Sequence, residues 1–181
     1  MNEIFNKTQS YDVVVSIVLY KAKLEIISQT LNSLIKTKHN ILTIIVDNSP
    51  SLEMKEFVAR IQNSIYIENS NTGFGHAHNI AISKYIEKAP YYLILNPDVV
   101  IHENCLEEMI QYMNQDSSIA LACPKILNPD GTIQQVYRKF PTLLSFFLRL
   151  AAPGFIKKIF KNYLDDFELK GLDFNKPANL S

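Results

Sequence analysis

Five short runs of apolar, mostly β-branched residues are spread along the first two thirds of this 181-residue chain. The first run, VVVSIVLY, contains few polar residues and lacks the alternation expected of a strand with one face in water. It is therefore predicted to be a strand that is covered on both faces, and the same is predicted for the apolar run at 91–96. The five predicted strands lie at 13–20, 41–49, 64–69, 91–96 and 119–127.

Segments in which apolar residues recur at helical spacing separate these runs. The regular exchange of strand and helix, with short connections, predicts an α/β fold with a doubly wound, mostly parallel sheet. In such sheets, ligands bind outside the carboxyl ends of the strands, so the residues that follow each strand are the informative ones. The predicted helices lie at 24–35, 51–61, 77–87 and 103–115.

The alternation stops after the fifth run. The sequence NPDG at 128–131 predicts a tight turn, which would close a small hairpin between KIL and TIQQVY. The segments at 143–150 and 155–164 have the apolar content of short helices. We therefore predict an α/β domain over 1–137 and a basic helical extension over 138–181.

Charge is distributed unevenly along the chain. The formal net charge is zero, which argues against a general nucleic-acid binder. Residues 138–164, however, contain six Lys and Arg and no Asp or Glu. Two interpretations stay open for this segment: a basic amphipathic helix that contacts an anionic membrane surface, or a helix packed on the sheet with its lysines in water.

The amino-terminal residues MNEIFNKTQSYD have no apolar core of a signal peptide, and no run reaches the ~18 apolar residues of a membrane span. Cys105 and Cys123 do not have the spacing of a zinc site or a redox pair, and both are expected to be core residues. A cytoplasmic location is expected, either free or at the inner face of the membrane.

Polar side chains follow each of the first four predicted strands. Tyr20 ends the first strand, Asp47-Asn48 lie at the end of the second, Asn71 lies in the loop after the third, and Asp98 comes two residues after the fourth. Because the carboxyl ends of parallel strands meet at one edge of a sheet, these side chains are expected to border one ligand site.

Asp98 lies in the sequence Asn96-Pro97-Asp98. A carboxylate at the end of a buried strand can hold a hard divalent cation, and that cation can neutralise a diphosphate. Asn-Pro-Asp is also ordinary turn composition. Asp47 likewise has two interpretations: it accepts a hydrogen bond from a nucleobase or ribose, or it caps the following helix.

The loop NTGFGHAHN at 71–79 is rich in glycine, but His78 stands where the dinucleotide-binding fingerprint needs a third glycine. His76 and His78 are two positions apart, which on a helix turns them about 200° from each other. They are therefore not expected to bind one metal ion together.

These motifs carry a family resemblance. The chain resembles the family 2 inverting glycosyltransferases of the GT-A fold, and in particular the bacterial rhamnosyltransferase-like group. The resemblance extends from about Val13 to Leu150, and it rests on a series of motifs that occur in the same order in the chain. They are VSIVLYK, LTIIVDNS, NTGFGHAHNIAI, YYLILNPDVVI and CPKILNPDGTIQQVYRKFPTL.

The resemblance implies an enzyme that moves a sugar, with rhamnose as the candidate, from a dTDP- or UDP-sugar to a saccharide or lipid-linked saccharide acceptor, with inversion. The pathway would be cell-surface polysaccharide synthesis. Asp98 would bind Mg²⁺ or Mn²⁺, Asp47 would contact the base, and Tyr20 would lie against it. The remaining residues implied to contact the nucleotide sugar are Asn48, Asn71, Gly73, Phe74, Asn79, Asn96 and Arg138.

The sequence departs from the family at three places. Asn96 replaces the first acid of the Asp-x-Asp motif, and Lys21 replaces the usual asparagine after Tyr20. The acidic pair Asp165-Asp166 lacks the context of the family's catalytic base, so no base is assigned. The chain is thus expected to end before the acceptor and base region.

Two alternatives to an active glycosyltransferase follow. The first is a donor-binding domain without transfer activity. The second is a sugar-nucleotidyltransferase-like enzyme, against which the absence of glycine in LYKAKLE counts, because such enzymes usually have a glycine-rich, basic loop after the first strand.

Overall fold

A computed structural model of the chain describes residues 10–134, 138–169, 171 and 173. The chain divides into two compact units, Met1–Ala122 and Cys123–Ser181. The first unit contains a parallel sheet with helices on both faces, and the second contains a tight turn and short helices.

The first unit begins its described part with a strand and then exchanges helix and strand regularly. Its strands pair in the order β3-β2-β1-β4, and every pairing is parallel. The predicted doubly wound, mostly parallel α/β sheet is thereby confirmed. The elements are β1 (Val13–Leu19), α1 (Leu24–Ile35), β2 (Ile41–Asp47), α2 (Leu52–Val58), β3 (Ser64–Glu68), α3 (Phe74–Tyr85), a 3₁₀ turn (Ile86–Lys88), β4 (Tyr91–Leu95) and α4 (Cys105–Gln115).

Strand β1 is the centre of the sheet, and all seven of its residues are buried. It pairs with β2 on one side and with β4 on the other, so that Leu19 lies opposite Asp47 and Ile17 lies opposite Leu95. Because the pairings are parallel, the residues that follow β1, β2 and β4 emerge at one edge of the sheet, which we call the carboxyl edge.

Apolar side chains fill the space on both faces of the sheet. Alternate residues of β1 point to opposite faces, as the pleat requires. The burial of each Val, Leu or Ile side chain contributes about 1.5–3 kcal/mol relative to exposure. One face packs against Ile27, Leu31, Leu34, Met54, Val58 and Leu106 of α1, α2 and α4. The other face packs against Ala77, Ala81 and Tyr85 of α3.

The prediction that residues 91–96 form a strand covered on both faces is wrong. Strand β4 pairs with β1 alone among the described residues, and the side chain of Ile94 is 54% exposed. A run of apolar residues does not reveal how many neighbours a strand will have, so an edge strand and a central strand look alike in the sequence.

The predicted fifth strand at 119–127 is also wrong. The segment has no strand pairing before Leu127, Leu121 is 87% exposed, and Cys123 is exposed rather than in the core. Cys105 is half-buried. No described strand lies alongside this segment to complete a ladder, and without a ladder an apolar run stays irregular.

The NPDG turn forms as predicted. The N–H of Gly131 donates to the carbonyl of Asn128 over 2.9 Å, and Gly131 adopts a φ of +82°, which favours glycine. One antiparallel bridge, Leu127 to Ile133, follows from the turn. The rest of the predicted hairpin, at 135–137, lies outside the described residues.

The second unit contains three short helices, α5 (Leu143–Leu150), α6 (Gly154–Ile159) and α7 (Lys161–Phe167). Thr142 and Ser145 form a reciprocal capping box at the start of α5. The helix predicted over 155–164 is wrong as a single element, because Phe160 leaves the helical conformation with a ψ of 20°. A ten-residue apolar pattern carries no signal for such a break.

An ion pair and a hydrogen bond join the segment just before α5 to α7. The Lys139 ammonium contacts both carboxylate oxygens of Asp166 at 2.8 and 3.0 Å, and the hydroxyls of Thr142 and Tyr163 are 2.6 Å apart. In the part of the chain that the structure describes, no helix has the length and apolar content needed to cross a bilayer.

Lys21, directly after β1, provides a test of backbone strain. Its φ is +49°, a left-handed conformation that asparagine tolerates better than lysine or alanine. We expect Lys21→Asn to be more stable than Lys21→Ala by about 1 kcal/mol, as measured by urea unfolding. Both variants lose the same charge, so equal free energies of unfolding would contradict the explanation.

Candidate functional site

The carboxyl edge of the sheet collects most of the residues predicted to bind a ligand. Tyr20, Asn48 and Asn96 follow the neighbouring strands β1, β2 and β4. Tyr20 is 53% exposed, whereas Asn48 is buried. Lys21 extends over the Tyr20 ring, with its ammonium 5.3 Å from the ring centroid. The edge therefore combines a buried polar floor with an exposed aromatic ring.

Asp47 is a buried carboxylate with its own set of donors. Its Oδ1 accepts from the N–H of Ser49 at 2.9 Å and from the Ser49 hydroxyl at 3.3 Å. Its Oδ2 accepts from the Tyr66 hydroxyl at 2.7 Å, and the residue is only 3% exposed. This set of bonds fixes the carboxylate in one orientation.

The helix-cap interpretation of Asp47 does not hold. The cap of α2 is Ser51, whose hydroxyl accepts from the N–H of Met54 at 3.2 Å. Asp47 instead accepts a hydrogen bond from Tyr66 of β3. Burial raises the pKa of the Tyr66 hydroxyl, and this hydrogen bond raises it further. Asp47 is thus a fixed acceptor at the end of β2.

Asn48 connects the ends of three strands. Its N–H donates to the Leu19 carbonyl at 2.8 Å, and its Oδ1 accepts from the Asn69 side chain at 2.7 Å. Asn69 also donates to the Thr72 hydroxyl at 3.0 Å. The loop that follows β3 is therefore tied to β2 through the Asn69 side-chain amide.

The same loop enters α3 at Gly73. Gly73 has a φ of +96°, a conformation that favours glycine. An added Cβ would meet no atom within 4 Å, so the reason for glycine here is conformational and not steric. The next residue, Phe74, is 49% exposed. Asn71 and Asn79 are exposed as well. The helix prediction at 77–87 is confirmed in type, with a start three residues earlier.

Helix α1 holds the turn that follows β4. The buried Thr30 hydroxyl donates to the Pro97 carbonyl at 2.7 Å, and the Ser33 hydroxyl accepts from the N–H of Ile101 at 3.0 Å. Between these two attachments, Asp98 is exposed to solvent, as is Asn96. The backbone around Asp98 is thus fixed while its carboxylate remains accessible.

The donor set at this edge suits a shared cation better than a closed protein cage. Among the described residues, no group of three His, Cys, Asp or Glu side chains is arranged to hold a metal ion. Magnesium is commonly bound by one or two carboxylates together with substrate phosphates, and an exposed Asp98 beside the Asn96 amide fits that chemistry.

The two histidines of α3 diverge, as the helical spacing predicts. His76 is exposed and His78 is buried. Arg138 is exposed, and it belongs to the second unit. Asp166, in the acidic pair considered as a catalytic base, is engaged by Lys139.

A buried polar cluster lies beneath α3, on the face of the sheet opposite α1. The Ser16 hydroxyl is 2.7 Å from Nδ1 of His78, whose ring meets Phe74 edge-on with centroids 4.5 Å apart. Nε2 of His78 has no hydrogen-bond partner among the described residues. Burial lowers the pKa of His78 and raises the pKa of Tyr92.

Sequence reasoning missed the residues that support the edge from behind. Tyr66, Thr30 and Ser33 lie within predicted strands or helices, where a polar side chain reads as a solvent-facing position. Thr30 and Ser33 lie next to the apolar positions of α1 along the helix, and that spacing was only weak evidence that the two side chains are buried. No signal linked Tyr66 to Asp47, because the register of β2 and β3 sets that contact.

Comparison with known proteins identifies the family. Residues 14–170 match the sequence profile of glycosyl transferase family 2, which covers well over half of the chain. The chain therefore belongs to glycosyl transferase family 2.

A characterised relative supports the rhamnosyltransferase-like assignment. The chain is 31% identical over 110 residues to rhamnosyltransferase WbbL of Escherichia coli strain K12. The aligned part covers 57% of this chain and 41% of that relative. The chain thus spans less than half the length of a relative that it matches.

Solved structures share the fold. A crystal structure of Staphylococcus aureus TarS residues 1–349 aligns with a TM-score of 0.50 and 19% identity, over 57% of this chain and 32% of that one. A second TarS structure aligns with a TM-score of 0.49, 19% identity and coverages of 57% and 20%. The first likeness supports the α/β fold of GT-A type.

Removal of the Tyr66 hydroxyl tests the role of the bond to Asp47. Tyr66→Phe leaves the buried carboxylate without one donor, so we expect a loss of about 1–3 kcal/mol in the free energy of unfolding. Tyr91→Phe, which removes an exposed hydroxyl that donates to the Asn114 side chain, should cost less. Equal losses in the free energy of unfolding for the two variants, measured with urea, would contradict a stabilising role of the Tyr66 bond to Asp47.

The buried His78 predicts a pH dependence of stability. Burial lowers the pKa of His78 in the folded state. Below about pH 6.5, the unfolded chain therefore binds a proton at this residue more readily than the folded chain does. Stability is therefore lost as pH falls from about 6.5 toward the folded pKa, by at most ~1.4 kcal/mol per pH unit. Thermal unfolding at pH 7.5 and 5.5 measures this loss.

The matched variants are His78→Gln and His76→Gln, two positions apart on the same helix. We expect His78→Gln to reduce the pH dependence, whatever its stability at pH 7.5, and His76→Gln to leave that dependence unchanged because His76 is exposed. An unchanged dependence in His78→Gln would contradict the assignment.

Proposed function

We propose that this chain binds a nucleotide diphosphate sugar at the carboxyl edge, as the donor-binding part of a glycosyltransferase. The transferred sugar, with rhamnose as the candidate, would come from a dTDP- or UDP-sugar and pass to a saccharide or lipid-linked saccharide acceptor with inversion. Such a reaction would serve cell-surface polysaccharide synthesis. Membership of family 2 supports glycosyl transfer, and the name of the relative WbbL supports rhamnose as the sugar.

The observation that carries the proposal is the arrangement of Asp47 and Asp98. One is a buried, oriented carboxylate at the end of β2, and the other is an exposed carboxylate after β4, with β1 between the two strands. These two groups suit a ligand that combines a hydrogen-bonding base with a charged diphosphate, since one is an oriented acceptor and the other an accessible cation ligand.

The base is assigned to the β1–β2 side. Oδ2 of Asp47 accepts one hydrogen bond from Tyr66, and a carboxylate oxygen can accept a second. A nucleobase N–H is a suitable donor for that second bond. The exposed ring of Tyr20 offers a surface on which a planar base can stack. Asn48, fixed by Asn69, contributes a polar side chain to the same part of the site.

The diphosphate is assigned to the β4 side. Asp98, with the Asn96 amide beside it, would hold Mg²⁺ or Mn²⁺ together with phosphate oxygens. When bound, the cation would stabilise the negative charge of the departing nucleoside diphosphate. The Thr30 hydrogen bond to Pro97 supports this assignment, because it holds the backbone next to Asp98 in one position.

The sugar is assigned to the loop before α3 and to the first turns of that helix. Asn71, Gly73, Phe74 and Asn79 are exposed and therefore accessible to a ligand. Gly73 has the backbone conformation that turns the loop into the helix. Arg138 belongs to the second unit, and its role as a phosphate contact stays a prediction from the sequence.

In the transfer itself, the acceptor hydroxyl oxygen attacks the anomeric carbon, and the bond from that carbon to the diphosphate oxygen breaks. The acceptor proton passes to a general base. No described residue is assigned as that base. Catalysis by this chain is therefore tested separately from donor binding.

Asp98→Asn tests the site. We expect the affinity for UDP or dTDP in the presence of Mn²⁺ to fall at least about tenfold, because the neutral amide is a poorer cation ligand, and isothermal titration calorimetry measures the loss. Asp12→Asn is the matched control, because Asp12 is an exposed carboxylate that precedes β1 at the opposite edge. Similar losses in both variants, or no loss in Asp98→Asn, would remove Asp98 from the site.

Transfer is measured with the wild-type chain, a radiolabelled nucleotide sugar, a lipid-linked saccharide acceptor and Mn²⁺. Release of nucleoside diphosphate together with a labelled acceptor supports the glycosyltransferase. Tight Mn²⁺-dependent binding of nucleotide without turnover supports the donor-binding domain instead. Failure to bind any nucleoside diphosphate contradicts both.

A further inference from the structure

Helix α5 presents a broad apolar face to solvent. At about 100° per residue, the exposed side chains cover an arc of about 160°, and the two buried residues, Ser145 and Leu148, lie on the opposite side. Apolar patches of this kind on a protein surface mark interaction sites. The exposed fractions are 92% for Leu143, 45% for Leu144, 62% for Phe146, 58% for Phe147 and 76% for Leu150.

Neighbouring segments of the same unit extend this apolar surface. Phe140, just before the capping box of α5, is 95% exposed. In α6, Phe155 is 67% exposed and Ile159 is 74% exposed. Together with Phe146 and Phe147 of α5, these residues give the stretch 140–159 four exposed phenylalanines. We call the exposed apolar residues of 140–159 the apolar surface.

The charge of the same stretch identifies a partner. Residues 138–164 carry six basic residues and no acidic one. Arg138, Lys158 and Lys161 are exposed, and Lys158 directly precedes Ile159 of the apolar surface. Lys139 and Arg149 lie near Asp166 and Glu168 from α7, so part of the positive charge is neutralised within the unit.

We propose that the apolar surface binds an anionic lipid bilayer, with α5 lying in the plane of the headgroups. Interfacial helices combine a face of Phe and Leu with Lys and Arg beside it, and they bury the apolar side by about 5–10 Å. The basic residues attract acidic lipids, while the apolar arc enters the boundary of the acyl chains. The inference does not depend on sugar transfer.

A bilayer explains two features that a protein partner does not. The apolar arc is exposed over about 160° of the short helix α5, and the charged residues within 138–164 are all basic. A protein interface of mixed composition usually matches charges of both signs in its polar rim. A bilayer with acidic headgroups needs only positive charge beside an apolar face.

Vesicle sedimentation tests the proposal with the full chain. Vesicles of phosphatidylcholine and phosphatidylglycerol in a 3:1 ratio are compared with vesicles of phosphatidylcholine alone. We expect the wild type to partition at least about tenfold more strongly onto the anionic vesicles, and this preference to weaken in high salt.

The double variant Leu143→Ser, Phe147→Ser should lose most of the binding to anionic vesicles. Both side chains are more than half exposed, so circular dichroism should show an unchanged fold. The matched control is Ile35→Ser, Leu52→Ser, which removes two comparably exposed apolar residues from the first unit. That control should bind vesicles like the wild type and show that any loss is specific to α5.

A spectroscopic probe is available because the chain contains no tryptophan. In Phe147→Trp, anionic vesicles should shift the indole emission to shorter wavelength, as transfer into an apolar environment requires. Four outcomes would overturn the proposal: no binding by the wild type, equal binding by the α5 variant, no emission shift, or dimerisation that the α5 substitutions abolish. The last outcome would identify the apolar surface as an interface between copies of the chain.

The membrane and donor proposals fail separately. Nucleotide affinity in the α5 double variant should equal that of the wild type, because its substitutions lie outside the carboxyl edge residues. Conversely, Asp98→Asn should sediment with anionic vesicles as strongly as the wild type.

Discussion

The parallel pairing of β1 with two neighbours is the constraint on which the rest of the first unit depends. β1 is buried along its whole length, and its register places Leu19 beside Asp47 and Ile17 beside Leu95. A shift of one residue would send the buried side chains of β1 to the wrong face. The same register brings polar residues from separate parts of the chain to one edge.

At that edge, hydrogen bonds from behind the strands determine how each polar group is presented. Tyr66 and Ser49 orient the buried Asp47, while Thr30 holds the backbone beside the exposed Asp98. The contrast between a buried acceptor and an accessible carboxylate follows from strand position: β2 lies inside the sheet, and β4 lies at its side among the described strands.

The sequence predicted the fold class and the first four strands because apolar runs and short connections are local properties. It also predicted the divergence of His76 and His78, which depends on helical geometry alone. It failed where the structure depends on neighbouring strands. Residues 119–127 have strand composition but no described strand beside them, and Ile94 is exposed because β4 is an edge strand among the described strands. The contact of Tyr66 with Asp47 was invisible for the same reason, since it crosses two strands. Asp98 as a cation ligand remains a prediction.

The bond between Thr30 and Pro97 joins residues 67 positions apart. Contacts of such long range form only after the intervening chain has been brought together, which costs conformational entropy before any stabilisation is returned. A nascent chain that has emerged only as far as β3 lacks both β4 and the turn that carries Asp98. During synthesis, the Asp98 side of the edge therefore cannot be completed until β4 and this turn have emerged.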